Sequence, residues 1–201
     1  MDYKNHLFIT GFYRSGTSLL SQFLNMCGYA TGGCLNSEIN AGFEDEQVQK
    51  IVTTMQMNNL TEDLILFLEK EIKKVDLLVM KHPRLLFNPN LLKIWTNVKP
   101  NISLLITYRE PLFSLKSKLA SSGEKGFFTN YSSAQLDQKF HEFVSQVIHL
   151  RIRHKILYFP DFLEDYNAVY HSISSLGIHI DKDKGNRVWN NLIDFNKVHF
   201  K

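Results

Sequence analysis

The sequence predicts an α/β fold, a P-loop-like three-layer sandwich with a mostly parallel central sheet and helices on both faces. Two observations predict it. Short apolar runs alternate along the chain with stretches whose apolar residues recur at helical spacing. The first such run also passes through a glycine-bounded loop straight into a helical pattern, and this geometry places ligands at the carboxyl ends of the strands.

The elements follow in order. His6-Leu7-Phe8-Ile9-Thr10 is an apolar run ending at Gly11, and Leu19, Leu20, Phe23, Leu24 and Cys27 then fall at helical spacing. Helical patterns run from Asp45 to Met57 and from Thr61 to Lys74. Further strands are expected at Leu77–Met80, Ile102–Ile106 and Ile156–Phe159. Pro89, Pro111 and Pro160 each stand near an expected helix start, where the missing N–H of proline costs nothing. Ala134 to His154 reads as one long amphipathic helix, with Arg151-Ile152-Arg153-His154-Lys155 as its solvated, cationic C-terminal end. Ser121 to Ser133 reads as a functional loop or lid, whose Phe127, Phe128 and Tyr131 either cover an acceptor or pack as core.

Composition bounds the function. With 201 residues, 44% hydrophobic and 21% charged, the chain is expected to form one domain over residues 1–201. No apolar run approaches the ~20 residues a membrane helix needs, and the polar opening lacks a signal-peptide layout, so a cytoplasmic location without a membrane span is expected. Cys27 and Cys34 read as reduced, Cys27 as packed, and neither belongs to a cluster at metal-ligand spacing, so no metal is expected. His141 and His149 lie on one expected helix without a carboxylate at ligand spacing. A net charge of +3 does not call for a nucleic-acid partner but suits an anionic nucleotide.

Gly11-Phe12-Tyr13-Arg14-Ser15-Gly16-Thr17-Ser18 fits the phosphate-loop template G-x-x-x-x-G-K-[ST] except at the lysine, which is Thr17. Glycines let the backbone turn around an anion, and the following helix presents its positive end. Arg14 supplies the cation that the template places on lysine. A nucleotide triphosphatase also needs an acid to hold magnesium, usually closing an apolar strand. Here the candidate strand Leu77–Met80 is followed by Lys81, which suits direct charge neutralisation of a sulfuryl group better than a metal-bound triphosphate.

The loop, extended through Leu19-Leu20, resembles the 5′-phosphosulfate loop of the sulfotransferase superfamily, especially bacterial members with an Arg-Ser-Gly-Thr-Ser core. The resemblance implies 3′-phosphoadenosine 5′-phosphosulfate as co-substrate, with Ser15, Gly16, Thr17 and Ser18 around the anion and Arg14 stabilising the leaving phosphate. Ile106-Thr107-Tyr108-Arg109-Glu110-Pro111, with Ser117 eight positions after Arg109, is similar to the family's 3′-phosphate motif. Arg109 would hold the phosphate by forked hydrogen bonds and Ser117 by its hydroxyl. Ser114, five positions after Arg109, is a second hydroxyl on the same expected helix. Lys184 and Gly185, in Lys182-Asp183-Lys184-Gly185, are the counterpart of the family's basic Arg-Lys-Gly loop, with a solvated turn as the alternative. Lys81-His82-Pro83-Arg84 resembles a strand-end Lys-x-Pro-Arg, and Tyr158-Phe159-Pro160-Asp161-Phe162-Leu163 the family's Tyr-Glu-Asp-Leu segment, with Pro160 where an acid is usual.

Sulfuryl transfer to a hydroxyl or amine needs a base beside the acceptor. Glu44, in Gly42-Phe43-Glu44-Asp45-Glu46, is similar in position to the Gly-x-x-Glu of bacterial relatives. The competing reading makes Glu44, Asp45 and Glu46 plain N-terminal helix acids. His82 is the other candidate base, although the relatives that use histidine place it where Pro83 stands. Lys81 would act as an electrostatic clamp on the transferring group. The expected partners are the nucleotide donor and a small-molecule, carbohydrate or lipid acceptor. The alternatives are a P-loop kinase-type phosphotransferase and a non-catalytic nucleotide-binding module on the same fold.

Overall fold

The computed structural model describes residues 5–33, 35–36, 41–122 and 131–196. Four parallel strands form its main sheet in the order β4-β1-β5-β6, with β1 at His6–Gly11, β4 at Val79–Lys81, β5 at Ile102–Tyr108 and β6 at Arg153–Tyr158. Every residue of β1 is buried, as expected for a parallel strand with neighbours on both edges and layers on both faces. A small antiparallel pair, β2 (Leu35–Asn36) and β3 (Ala41–Gly42), stands apart from it.

Strand alternation divides the core between the two faces. Leu7, Ile9, Val79, Leu105 and Leu157 point to one face. There they meet Leu20 and Phe23 of α1 (Thr17–Met26), Val169 and Ile173 of α7 (Tyr166–Ser175), and Trp189 and Leu192 of α8 (Lys182–Asn196). Phe8, Met80, Leu104 and Ile106 point to the other. They pack with Val48 and Ile51 of α2 (Glu46–Met57), Leu68 and Ile72 of α3 (Glu62–Lys74), Leu92 and Trp95 of α4 (Pro89–Val98), and Phe140 and Phe143 of α6 (Ser133–His149). The expected three layers are present. The remaining helix, α5, covers Pro111–Ser122.

Three expectations are corrected. The helix expected from Ala134 to His154 ends at His149, because Arg151 turns to a positive φ of 54° and the Ile152 N–H donates to the Val147 carbonyl. Arg153, His154 and Lys155 therefore lie on edge strand β6, not at a helix end, and charge on an exposed edge discourages pairing with other chains. Pro160 does not open an α-helix: it follows a cis peptide bond and caps the 3-10 turn Asp161–Leu163, and α7 starts only at Tyr166 behind the Asp165 cap. Of the three aromatics in the segment expected to be a loop or lid, Tyr131 packs beside Phe87 with ring centroids 5.7 Å apart, whereas Phe127 and Phe128 lie outside the described residues, as does Cys34. Cys27, partly buried, packs against the α1, α7 and α8 layer.

Candidate active site

The loop between β1 and α1 is fastened at both ends. At Gly11 a Cβ would lie 2.2 Å from Thr107 Oγ1, so only glycine lets β1 approach β5 this closely. The buried Ser15 hydroxyl donates to the Phe12 carbonyl and lies 2.6 Å from Thr107 Oγ1. Its side chain thus ties the loop to β5, and what Ser15 can offer an anion is its backbone N–H. Gly16 is left-handed at φ 87°, and a Cβ there would meet Phe162 Cζ at 2.6 Å. Arg14 is also left-handed, at φ 63°, a strain of about 1–2 kcal/mol for a residue with a Cβ. Such strain gathers where a backbone is shaped for a ligand. Thr17 is the buried first residue of α1, and Ser18 beside it is half-buried.

Arg109 leaves the end of β5 and donates from Nη1 to the Arg14 carbonyl at 2.9 Å, with its guanidinium 4.9 Å from the centre of the Phe159 ring. Burial, and then the neighbouring Arg14 charge, lower its pKa. Two cations are thus held within electrostatic reach of each other, an arrangement an anion between them would relieve. Position 117 lies on α5, but the Ser117 side chain lies outside the described residues. The Ser114 hydroxyl is buried and finds no partner among the described residues.

The second half of the site gathers at the end of β4. Lys81, 2% exposed, donates to Glu44 Oε1 at 2.7 Å and to the Gly42 carbonyl at 3.1 Å. Those two bonds span Phe43, buried and left-handed at φ 59°. Burial lowers the Lys81 pKa, and the Glu44 carboxylate works against that shift. The reading of Glu44 as a helix N-terminal acid does not fit this geometry. Asp45 caps α2, accepting from the N–H groups of Gln47 and Val48 at 3.0 Å each, while Glu44 turns back to the sheet. His82 Nδ1 accepts the Arg84 N–H at 3.2 Å, and its Nε2 lies 3.6 Å from Glu44 Oε2. Burial is the main reason its pKa falls to about 4.

Two further residues join the site that sequence reasoning did not assign to it. Tyr13, inside the loop, accepts from Arg84 Nε at 2.9 Å and feels the charge of Glu44, so it links the loop to the Lys81 cluster. Arg84 closes the Lys81-His82-Pro83-Arg84 motif, and an aromatic residue inside a loop of phosphate-binding pattern was the available signal for Tyr13. Thr107 is a third residue whose importance shows only in three dimensions.

Lys184 and Gly185 are not brought to the site, and this corrects their placement in a phosphate-binding loop. Both lie in the first turn of α8. Lys184 acts electrostatically on Cys27, which caps the far end of α1, about 15 Å of helix away from the loop. Gly185 is buried, and a Cβ on it would meet the Tyr166 hydroxyl at 2.2 Å, so its role is helix packing. Among the described residues no group of three His, Cys, Asp or Glu side chains could hold a metal ion, and no helix is long and apolar enough to cross a membrane.

No protein-family model matches the chain, and no curated protein does. Among solved structures it is similar to the sulfotransferase domain from the Synechococcus PCC 7002 olefin synthase, with a TM-score of 0.55 and 16% identity over 100% of this chain and 86% of that one. A sulfotransferase domain from the curacin biosynthetic pathway aligns with TM-score 0.49 and 17% identity over 90% of this chain and 76% of that one. A sulfotransferase from Alicyclobacillus acidocaldarius aligns with TM-score 0.47 and 18% identity over 94% and 96%. The first of these similarities, joined to the parallel sheet and its strand-loop-helix opening, gives the chain the fold of a sulfotransferase domain.

Proposed function

We propose that residues 1–201 act as one sulfotransferase-like domain, transferring a sulfuryl group from 3′-phosphoadenosine 5′-phosphosulfate to a hydroxyl or amine of a small-molecule, carbohydrate or lipid acceptor. The observation that carries this reading is the ion pair of buried Lys81 with partly exposed Glu44 at the end of the strand beside the phosphate-type loop. A cation and a carboxylate side by side provide the two things sulfuryl transfer demands, charge stabilisation and a proton acceptor.

In this reading the loop amides of Ser15, Gly16, Thr17 and Ser18 hold the 5′-phosphosulfate, and Arg109 with Ser117 holds the 3′-phosphate. Glu44 takes the proton as the acceptor oxygen bonds to sulfur. Its side chain is 26% exposed, so lone pairs not engaged by Lys81 remain open to an acceptor. The bond from sulfur to the bridging phosphate oxygen breaks in line, leaving 3′-phosphoadenosine 5′-phosphate. Arg14 offsets the charge that grows on that oxygen, and Lys81 the charge on the transferring sulfuryl group.

Thermal-shift measurements test the donor. The bisphosphate product should raise the melting temperature, and ATP with magnesium should raise it less. Preferential stabilisation by ATP with magnesium would turn the reading to a kinase-type phosphotransferase. A radiolabelled-donor screen over sugars, lipids and phenols then tests turnover, and binding without turnover would favour a non-catalytic nucleotide-binding module.

A further inference from the structure

We infer that His82 is a positioning residue for Glu44, directing its Nε2–H at the carboxylate oxygen that Lys81 does not hold. The inference rests on the reading of Glu44 as the base only for its catalytic meaning; the arrangement itself stands on geometry. His82 Nδ1 accepts the backbone N–H of Arg84 at 3.2 Å and thereby caps the 3-10 turn Pro83–Phe87. A nitrogen that accepts an N–H carries no proton, so the proton of the neutral ring sits on Nε2. That atom lies 3.6 Å from Glu44 Oε2, while Lys81 Nζ lies 2.7 Å from Oε1. Closing by ~0.5 Å would bring the pair within hydrogen-bond range, and the terminal torsion of a glutamate is soft enough to allow it.

Both donors are 2% exposed, so neither is free to turn away into solvent. They face the two carboxylate oxygens from the sheet side, Lys81 bonded to Oε1 and His82 aimed at Oε2. The same geometry removes His82 as a rival base: one ring nitrogen is occupied by Arg84 and the other already bears hydrogen. Among the described residues, the charged and titratable groups around this contact are Glu44, Lys81, Arg84 and Tyr13.

Two substitutions separate positioning from capping. In His82→Asn the amide oxygen replaces Nδ1 and keeps the cap while the Nε2–H is lost; in His82→Gln the amide nitrogen replaces Nε2 and the cap is lost. Positioning predicts that His82→Asn lowers kcat by roughly 10- to 100-fold with donor KM unchanged. His82→Gln should recover most of that kcat but melt at lower temperature. The reverse pattern, His82→Asn fully active and His82→Gln impaired, would reduce His82 to a cap. A second measurement needs no turnover. Nitrogen-15 NMR should show the Nε2–H tautomer, and Glu44→Gln should shift His82 titration to lower pH, because the carboxylate favours the protonated ring. An Nδ1–H tautomer, or a titration indifferent to Glu44→Gln, would overturn the placement. If the wild-type protein transfers no sulfuryl group, the proposed function fails while these spectra still decide the role of His82.

Discussion

Arg109 and Arg14 are joined through a single main-chain oxygen: the guanidinium of the first donates to the carbonyl of the second at 2.9 Å. The bond places a cation from the end of β5 against the backbone of the loop after β1. It also fixes the left-handed turn at Arg14. Arg109→Ala is therefore expected to remove most of the thermal shift given by 3′-phosphoadenosine 5′-phosphate and to lower the melting temperature of the free protein. Arg109→Lys should recover little of either, since an ammonium cannot form the fork. A bisphosphate-induced shift as large in Arg109→Ala as in wild type would place the 3′-phosphate contact elsewhere.

The Lys81–Glu44 pair should be asymmetric under mutation. Glu44→Ala leaves an ammonium that is 2% exposed with the Gly42 carbonyl as its remaining partner among the described residues, a loss expected to cost ~3 kcal/mol in urea unfolding. Lys81→Met leaves a carboxylate that is 26% exposed and within reach of water, and should cost less. Equal costs, or the reverse order, would mean the pair is not held as described.

Acid should weaken the fold through His82. Its pKa is about 4 in the folded chain against an ordinary 6.5, so between those values the unfolded chain binds the extra proton. Stability from this group is complete above pH 6.5 and declines as pH falls through 4, by roughly 3 kcal/mol in all. Glu44, Lys81 and Arg84 all act on the ring, with Glu44 moderating the shift. Urea midpoints measured from pH 7 to pH 4 should fall more steeply in wild type than in His82→Asn, and parallel curves would contradict this.

Two glycines should behave differently. Gly16→Ala puts a Cβ 2.6 Å from Phe162 at a left-handed position, and is expected to distort the loop and abolish bisphosphate binding. Gly185→Ala meets the Tyr166 hydroxyl and should cost ~1–3 kcal/mol of stability while the folded protein still binds. Lys184→Ala should leave the bisphosphate affinity, measured by calorimetry, unchanged. A large loss of affinity in Lys184→Ala would restore that residue to the proposed nucleotide site.

The layering was legible because it depends on local periodicity: the apolar faces of β1 and α1 and the glycines between them announce strand, loop and helix in one stretch of chain. The end of α6 was not, because Arg151 leaves the helix by a backbone twist that composition does not mark, and β6 then reuses residues that suit either element. Lys184-Gly185 shows the limit of a short motif: its spacing matched a loop, but the space beneath Tyr166 makes it a helix contact. The Lys81–Glu44 pairing joins positions remote in sequence, so residue types could suggest each partner but not the 2.7 Å between them.

The fastening of the loop, at Gly11 against Thr107 and at Gly16 against Phe162, has a thermodynamic corollary. A template fixed on two sides surrenders little disorder when it is filled. Anion binding should therefore show a small heat-capacity change, and hydrogen exchange should slow only at the amides the anion covers. Discrimination between anions would then come from size and shape, imposed by a cradle that does not stretch.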